Sequence, residues 1–326
     1  MSRRPIFRAA KALAAGVAVT GLAAGCGLGT AGGFSPTGAV AGPVEGIDLE
    51  GAGVDVGSKN FTEQIILGKM AVILLQSAGA DVQDLTNTPG SNTVREAMLQ
   101  GHMDFQWEYT GTAWITYMGE TDPIIDEQEQ FEAVRDVDAD DGLIWLAPSE
   151  LNNTYAFATS AEFGEETGIT EMSEISELDE EDQSFCVDAE FAARNDGFGP
   201  WLEHYGIDDP PDDRVRTMDL GAIYQATADE VCRFGEVFAT DGRIPALDLV
   251  VLEDDEEYFP RYNLSAVVNE ELLDEYPEVE DLFLPLTERL DNETMADLNA
   301  EVDVDGEEPV DVAWEFLLDE GFVTEE

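Results

Sequence analysis

Apolar and polar positions alternate along this chain with two distinct periods. Val54-Asp55-Val56 alternates with period two and runs into Gly57-Ser58-Lys59-Asn60, the pattern of a strand that ends in a turn. Directly afterwards Ile65, Ile66, Met70, Ile73 and Leu74 recur at helical spacing, which predicts a helix over 61–77 with Thr62-Glu63-Gln64 as its polar first turn. Further β-rich runs predict strands at 82–86, 105–109, 143–147, 155–159, 184–187, 215–218, 236–239 and 249–252, with helices between them. After Pro277 the pattern turns helical, over 279–290, 293–300 and 310–320. Such alternation argues for α/β layers around a largely parallel sheet. No segment of the chain repeats another.

The first residues break this pattern. Ser2-Arg3-Arg4-Pro5-Ile6-Phe7-Arg8 is basic, and the run from Ala12 to Ala24 is uncharged and mostly apolar. That run is shorter than the roughly 20 residues a membrane span needs, so 1–25 reads as an export signal. Ala23-Ala24-Gly25-Cys26 is similar to a lipobox, which makes Cys26 the expected lipid-modified N-terminus of a lipoprotein on the outer face of the cytoplasmic membrane. Arg3-Arg4 also fits a twin-arginine context, so the export route stays open. Residues 26–53, rich in Gly, Ala and Pro and without a basic residue up to Gly53, read as a flexible tether.

Composition then narrows the function. The 326 residues hold 72 Asp+Glu against 15 Lys+Arg, a formal net charge of −57, yet 44 % are hydrophobic and 9 % aromatic. There is enough apolar matter for a core, so the charge belongs on a folded surface. A phosphate backbone would be repelled, which excludes nucleic acid as a partner. So dense a charge also suits a salty medium in which screening lengths are short, as in a halophile. Removing the signal leaves Lys59 and Lys69 as the last lysines, and each then needs a packing or ligand reason to persist. Cys186 and Cys232 match no metal spacing; in an exported protein they are a possible disulfide, with two buried thiols as the alternative.

A search for catalysis finds no nucleophile–base pair. His102 and His204 stand alone, with no Gly-x-Ser-x-Gly, Cys-His or His-Glu-x-x-His arrangement. The acidic runs 138–141 and 253–257 lack the glycine and closing Glu of a calcium loop, and no phosphate-cradling glycine loop is present. Neither an enzyme, a metal site nor a cofactor is expected. Polar and aromatic residues cluster instead at predicted strand ends, where open α/β sheets bind ligands. Gly57-Ser58-Lys59-Asn60-Phe61 sets a lysine at a helix N-terminus, an arrangement suited to an anion.

Five segments in order carry a family resemblance: Gly57-Ser58-Lys59-Asn60-Phe61-Thr62-Glu63-Gln64, Glu108-Tyr109-Thr110-Gly111-Thr112, Asn152-Asn153-Thr154-Tyr155-Ala156, Thr240-Asp241-Gly242-Arg243-Ile244 and 249–255. Together they resemble the substrate-binding proteins of osmoprotectant ABC importers, which take up glycine betaine, carnitine, choline and related compounds. The resemblance implies a two-lobed α/β periplasmic-binding-protein fold of type II, whose chain crosses twice between lobes. Lobe I would be 54–152 plus 246–326 and lobe II 153–245. It also implies an aromatic box for a quaternary ammonium from Tyr109, Tyr155 and Tyr224, with Thr112 and Asn153 beside it. Lys59 and Arg194 fall where family members place donors to the ligand carboxylate, and Gln64 is a further match. A tyrosine expected after Thr-Asp-Gly-Arg is missing, Leu247 standing near its place, and Phe238 is the nearest aromatic replacement. The box reading agrees with the physics: a quaternary ammonium has no N–H to donate, whereas ring faces attract it by roughly 0.5–2 kcal/mol each. The expectation is a monomeric receptor that hands its ligand to membrane permease subunits. A receptor for a cationic or zwitterionic amino acid is the alternative, and it would need a carboxylate facing the ammonium.

Overall fold

The computed structural model describes residues 35–120 and 124–325. The expected export signal and Cys26 lie outside the described residues. Ten strands form two five-stranded sheets. In the first, Gly53–Gly57 (β1) lies parallel to Asp81–Leu85 (β2) and to Phe105–Tyr109 (β3). Leu143–Trp145 (β4) completes it, giving the order β2-β1-β3-β10-β4, where β10 is Leu264–Asn269. The second sheet contains Tyr155–Ser160 (β5), Phe185–Val187 (β6), Val215–Thr217 (β7), Phe234–Phe238 (β8) and Leu249–Val251 (β9), in the order β9-β5-β8-β6-β7.

Both sheets are mixed, not largely parallel. β10 runs antiparallel to β3 and β4, and β5 runs antiparallel to β8 and β9. The long crossovers explain this: a strand entering from the other lobe arrives without the helix that a parallel neighbour requires. β10 is the strand that periodicity overlooks. Leu264, Ser265, Ala266, Val267 and Val268 are all buried, so no polar face alternates with the apolar one.

The chain leaves the first sheet over 146–154 and returns over 252–263. These two connections lie side by side, with Asn152 bridged to Asn263 and the Tyr262 N–H donating to the Asn152 side chain at 2.8 Å. The expected return at residue 246 falls too early, because Leu249–Val251 pairs with Thr159 and its neighbours and stays in the second sheet. The tether also ends sooner than residue 53. Ala39–Val40 pairs with Val323–Thr324, and Val44 and Leu49 are fully buried in the core. Two apolar side chains in a Gly/Pro-rich stretch suffice to dock it, at roughly 1.5–3 kcal/mol each.

Beyond its polar first turn, helix Thr62–Ser77 carries apolar residues on every face because it is covered on every side. The first sheet lies on one side, and helices Asn292–Asp303 and Pro309–Asp319 on the other. Phe61 is its N-cap, with extended backbone, and the C-terminal segment folds as Glu278–Thr287, Asn292–Asp303 and Pro309–Asp319, preceded by a short helix Glu270–Glu275. Two glycines of the sequence motifs mark close approaches. A Cβ on Gly111 would meet the Arg261 carbonyl oxygen at 2.7 Å, and one on Gly242 would meet the Ala300 Cβ at 2.5 Å. The first approach seats the returning connection; the second seats the second lobe on helix Asn292–Asp303. Cys186 and Cys232 form a disulfide in the second lobe, and both are buried. Among the described residues no helix is long and apolar enough to cross a membrane.

Candidate ligand-binding site

Strand ends and crossovers converge on a cavity of about 320 Å³ between the two sheets. Five rings line it: Phe61 before the helix that follows β1, Tyr109 at the end of β3, Tyr155 at the start of β5, Phe238 at the end of β8 and Tyr262 in the returning connection. Phe61 stands 6.3 Å from Tyr109 and 5.0 Å from Phe238, centroid to centroid. Tyr155 is 5.1 Å from Phe238 and 5.5 Å from Tyr262. The rings therefore form a connected wall, and three of them arrive where open sheets deliver their ligand contacts.

The cationic side chains at the wall are already paired. Lys59 Nζ bonds to Glu108, whose carboxylate also accepts from the Tyr109 N–H and the Tyr117 hydroxyl, each at 2.7 Å. Arg194 makes a bidentate pair with Asp196 at 2.7 and 2.6 Å, and Asp196 accepts from the Tyr262 hydroxyl as well. Lys59 Nζ also lies 4.9 Å from the Tyr109 centroid, and the Arg194 guanidinium 5.2 Å from that of Tyr155. Asp188, Glu190 and Asp219 of the second lobe line the same cavity, and Glu190 lies 3.9 Å from the Arg194 guanidinium as its second carboxylate partner. Glu190 reaches across the cleft to Ser91, accepting from its hydroxyl and, at 3.3 Å, from its N–H. Burial raises the Asp188 carboxyl above its ordinary range, though the N–H groups of Phe191 and Glu190 pull it back down. Behind it Glu236 is fully buried and lies well above its ordinary range, through burial first and then the neighbouring Asp188 charge.

Of the residues expected from the sequence, Lys59, Tyr109, Thr112, Asn153, Tyr155, Arg194 and Phe238 all line the cavity. Gln64 and Tyr224 are not among the lining residues. Gln64 is fully buried beneath Lys59, accepting from its N–H at 3.5 Å. Tyr224 sits on the inner face of helix Leu220–Ala228, where its hydroxyl accepts from the Phe238 N–H at 3.0 Å and its ring lies 4.1 Å from the Arg243 guanidinium. It supports a wall without forming one. Leu247 also stays off the cavity, packed at the edge of the core. Sequence reasoning did not pick out Tyr262, Ser91 or Glu190, nor did it count Phe61 as a ring of the wall. Phe61 stood inside a quoted motif; Tyr262 follows no motif, and only the pairing of the two connections brings it in.

Comparison with known proteins places these features in a family. Residues 52–319 match the family described as the substrate binding domain of the ABC-type glycine betaine transport system. A glycine-betaine-binding protein of Pseudomonas aeruginosa is 40 % identical over 279 residues, covering 82 % of this chain and 89 % of its own. The glycine betaine-binding protein YehZ of Escherichia coli is 30 % identical over 277 residues, covering 82 % and 91 %. A solved structure of a glycine betaine/carnitine/choline ABC transporter protein superposes with a TM-score of 0.67 at 28 % identity, over 82 % of this chain and 98 % of that one. The fold is that of the two-lobed type II periplasmic binding proteins. The chain belongs to the family of extracytoplasmic substrate-binding proteins that serve ABC-type glycine betaine transport systems.

Proposed function

We propose that this protein captures a small quaternary-ammonium osmolyte in the cage of Phe61, Tyr109, Tyr155, Phe238 and Tyr262 and presents it to the permease of its importer. The observation that carries the reading is the convergence of five rings on one interlobe cavity. Quaternary ammonium ions are weakly hydrated and have no N–H to donate, so ring faces in a desolvated cleft select them over metal ions or ammonium ions that keep an N–H. Thr112 and Asn153 stand beside the rings as polar contacts for the rest of the ligand. Closure of the lobes around the bound molecule follows the hinge logic of two-lobed receptors.

Charge favours a second reading of the ligand within this class. Lys59 is paired with Glu108 and Arg194 with Asp196 and, at 3.9 Å, with Glu190, so each cation is matched or outnumbered, and Asp188 and Asp219 add further negative charge to the wall. A net cation such as choline gains from that balance, and the carboxylate of glycine betaine does not. Calorimetric titration with both compounds decides: tighter binding of choline supports the charge argument, and tighter binding of glycine betaine refutes it. In the same proposal the protein is a monomer, exported by its N-terminal signal and held at the membrane through a lipidated Cys26. Its acidic surface is suited to molar salt. Palmitate labelling that persists in a Cys26→Ala variant would refute the anchor.

A further inference from the structure

Behind the cage lies a carboxylate that sequence reading placed only in a polar helix turn. Glu63 is 2 % exposed. Its Oε1 accepts from the Tyr109 hydroxyl at 2.7 Å and from the Asn153 side-chain amide at 2.9 Å. Its Oε2 accepts from the Thr240 hydroxyl at 2.6 Å and from the Asn299 amide at 3.3 Å. An ionised carboxylate offers about four acceptor positions, and four donors fill them. None of the four donors is charged. Burial raises the Glu63 carboxyl above its ordinary range, while the bonds from Thr240, Tyr109, Asn153 and Asn299 draw it back.

The donors come from four separate pieces of chain: the end of β3, the outgoing connection, the second lobe just after β8, and helix Asn292–Asp303 of the first lobe. Tyr109 and Asn153 also line the ligand cavity. Thr240 reaches Glu63 only with the second lobe seated, and Asn299 then donates to the Thr240 carbonyl at 3.0 Å as well. We infer that Glu63 is a positioning residue that couples closure of the lobes to assembly of the cage. Opening strips Oε2 of its Thr240 donor, so the closed arrangement is the one in which this acid is fully bonded. The same acid then holds the Tyr109 ring and the Asn153 amide toward the cavity. A phenol that donates to a carboxylate also carries more negative charge on its ring, which strengthens the attraction of the Tyr109 face for an onium.

The inference rests on the ligand reading above for its binding arm, and the test separates the two. Glutamine at position 63 keeps the shape, but its amide nitrogen must face donors that need an acceptor. Glu63→Gln is expected to weaken binding of choline and glycine betaine at least tenfold in calorimetry, chiefly through faster dissociation in stopped-flow fluorescence. Thr240→Val alone should cost several-fold in affinity and nothing further in the Glu63→Gln background, because both act through one carboxylate. Small-angle scattering without ligand should show a more open average shape for Glu63→Gln. Unchanged affinity, additive losses in the double variant, or unchanged scattering would each overturn the coupling. Absence of binding by the unaltered protein would defeat the ligand reading alone, the scattering comparison still deciding for Glu63. Should Glu63→Gln fail to fold, Thr240→Val, which leaves the buried charge in place, is expected to open the scattering profile in the same direction.

Discussion

Replacement of Tyr155 by Ala and by Phe separates the ring from the hydroxyl in the wall that matters most to the cage. Tyr155 touches four other rings, Phe191, Phe238, Phe259 and Tyr262, with centroids between 4.8 and 5.9 Å. Its hydroxyl makes no hydrogen bond among the described residues, in contrast to that of Tyr109. One ring face contributes roughly 0.5–2 kcal/mol to holding an onium. At about 1.4 kcal/mol per decade, the Ala variant should therefore bind about 2- to 30-fold more weakly. The upper half of that range is expected, because Phe238 and Tyr262 each lose a neighbour that fixes their orientation. The Phe variant keeps the face and should stay within about threefold. Removing a buried aromatic side chain also costs about 3–5 kcal/mol of stability, so titrations belong well below the melting temperature of each variant. Calorimetry in molar salt with choline and glycine betaine supplies the affinities. Equal losses for Ala and Phe would refute the argument, since they would assign the binding to the hydroxyl.

Three further outcomes are expected. Lys59→Met should lower stability by about 3–5 kcal/mol through the buried Glu108 left without its cation, and Lys59→Met/Glu108→Gln should recover most of it; chemical denaturation that finds the single variant neutral contradicts the pairing. Glu236 has its folded value raised above the ordinary 4.5, so the stability tied to its neutral form is present below that pH and lost as pH rises through the raised value. Glu236→Gln should accordingly melt higher than the unaltered protein at neutral pH, the gain vanishing toward pH 4.5, and a gain that is constant with pH would dismiss the buried acid as its source. The melting temperature should also rise steeply from dilute buffer to molar KCl as the net charge of −57 is screened; a flat profile counts against adaptation to salt.

Much of the site was legible because its residues stand at the ends of strands that periodicity can find. Lys59 follows β1, Tyr109 closes β3 with Thr112 just beyond it, Tyr155 opens β5 and Phe238 closes β8. Chemistry that depends on contacts between distant segments was not legible. The partners of Lys59 and Arg194 convert two apparent anion donors into neutral pairs, and a spacing rule says nothing of whether a cation is already satisfied. Tyr224 has the residue type of a cage wall, but helix Leu220–Ala228 turns it behind β8. Glu63 looked like an ordinary first-turn acid, since its four donors are as far away in sequence as Asn299. The fold shows the same division. Alternating strands and amphipathic helices announced themselves, while the fully buried β10 and the docked segment around Val44 and Leu49 did not.

Calorimetric titration of residues 26–326 in molar salt, with choline, glycine betaine, carnitine, proline and arginine in turn, tests the central claim most directly. The cage predicts saturable one-site binding of at least one quaternary amine and no response to arginine. Binding of an amino acid with silence toward every quaternary amine would contradict it and assign the cavity to its acidic wall of Asp188, Glu190 and Asp219.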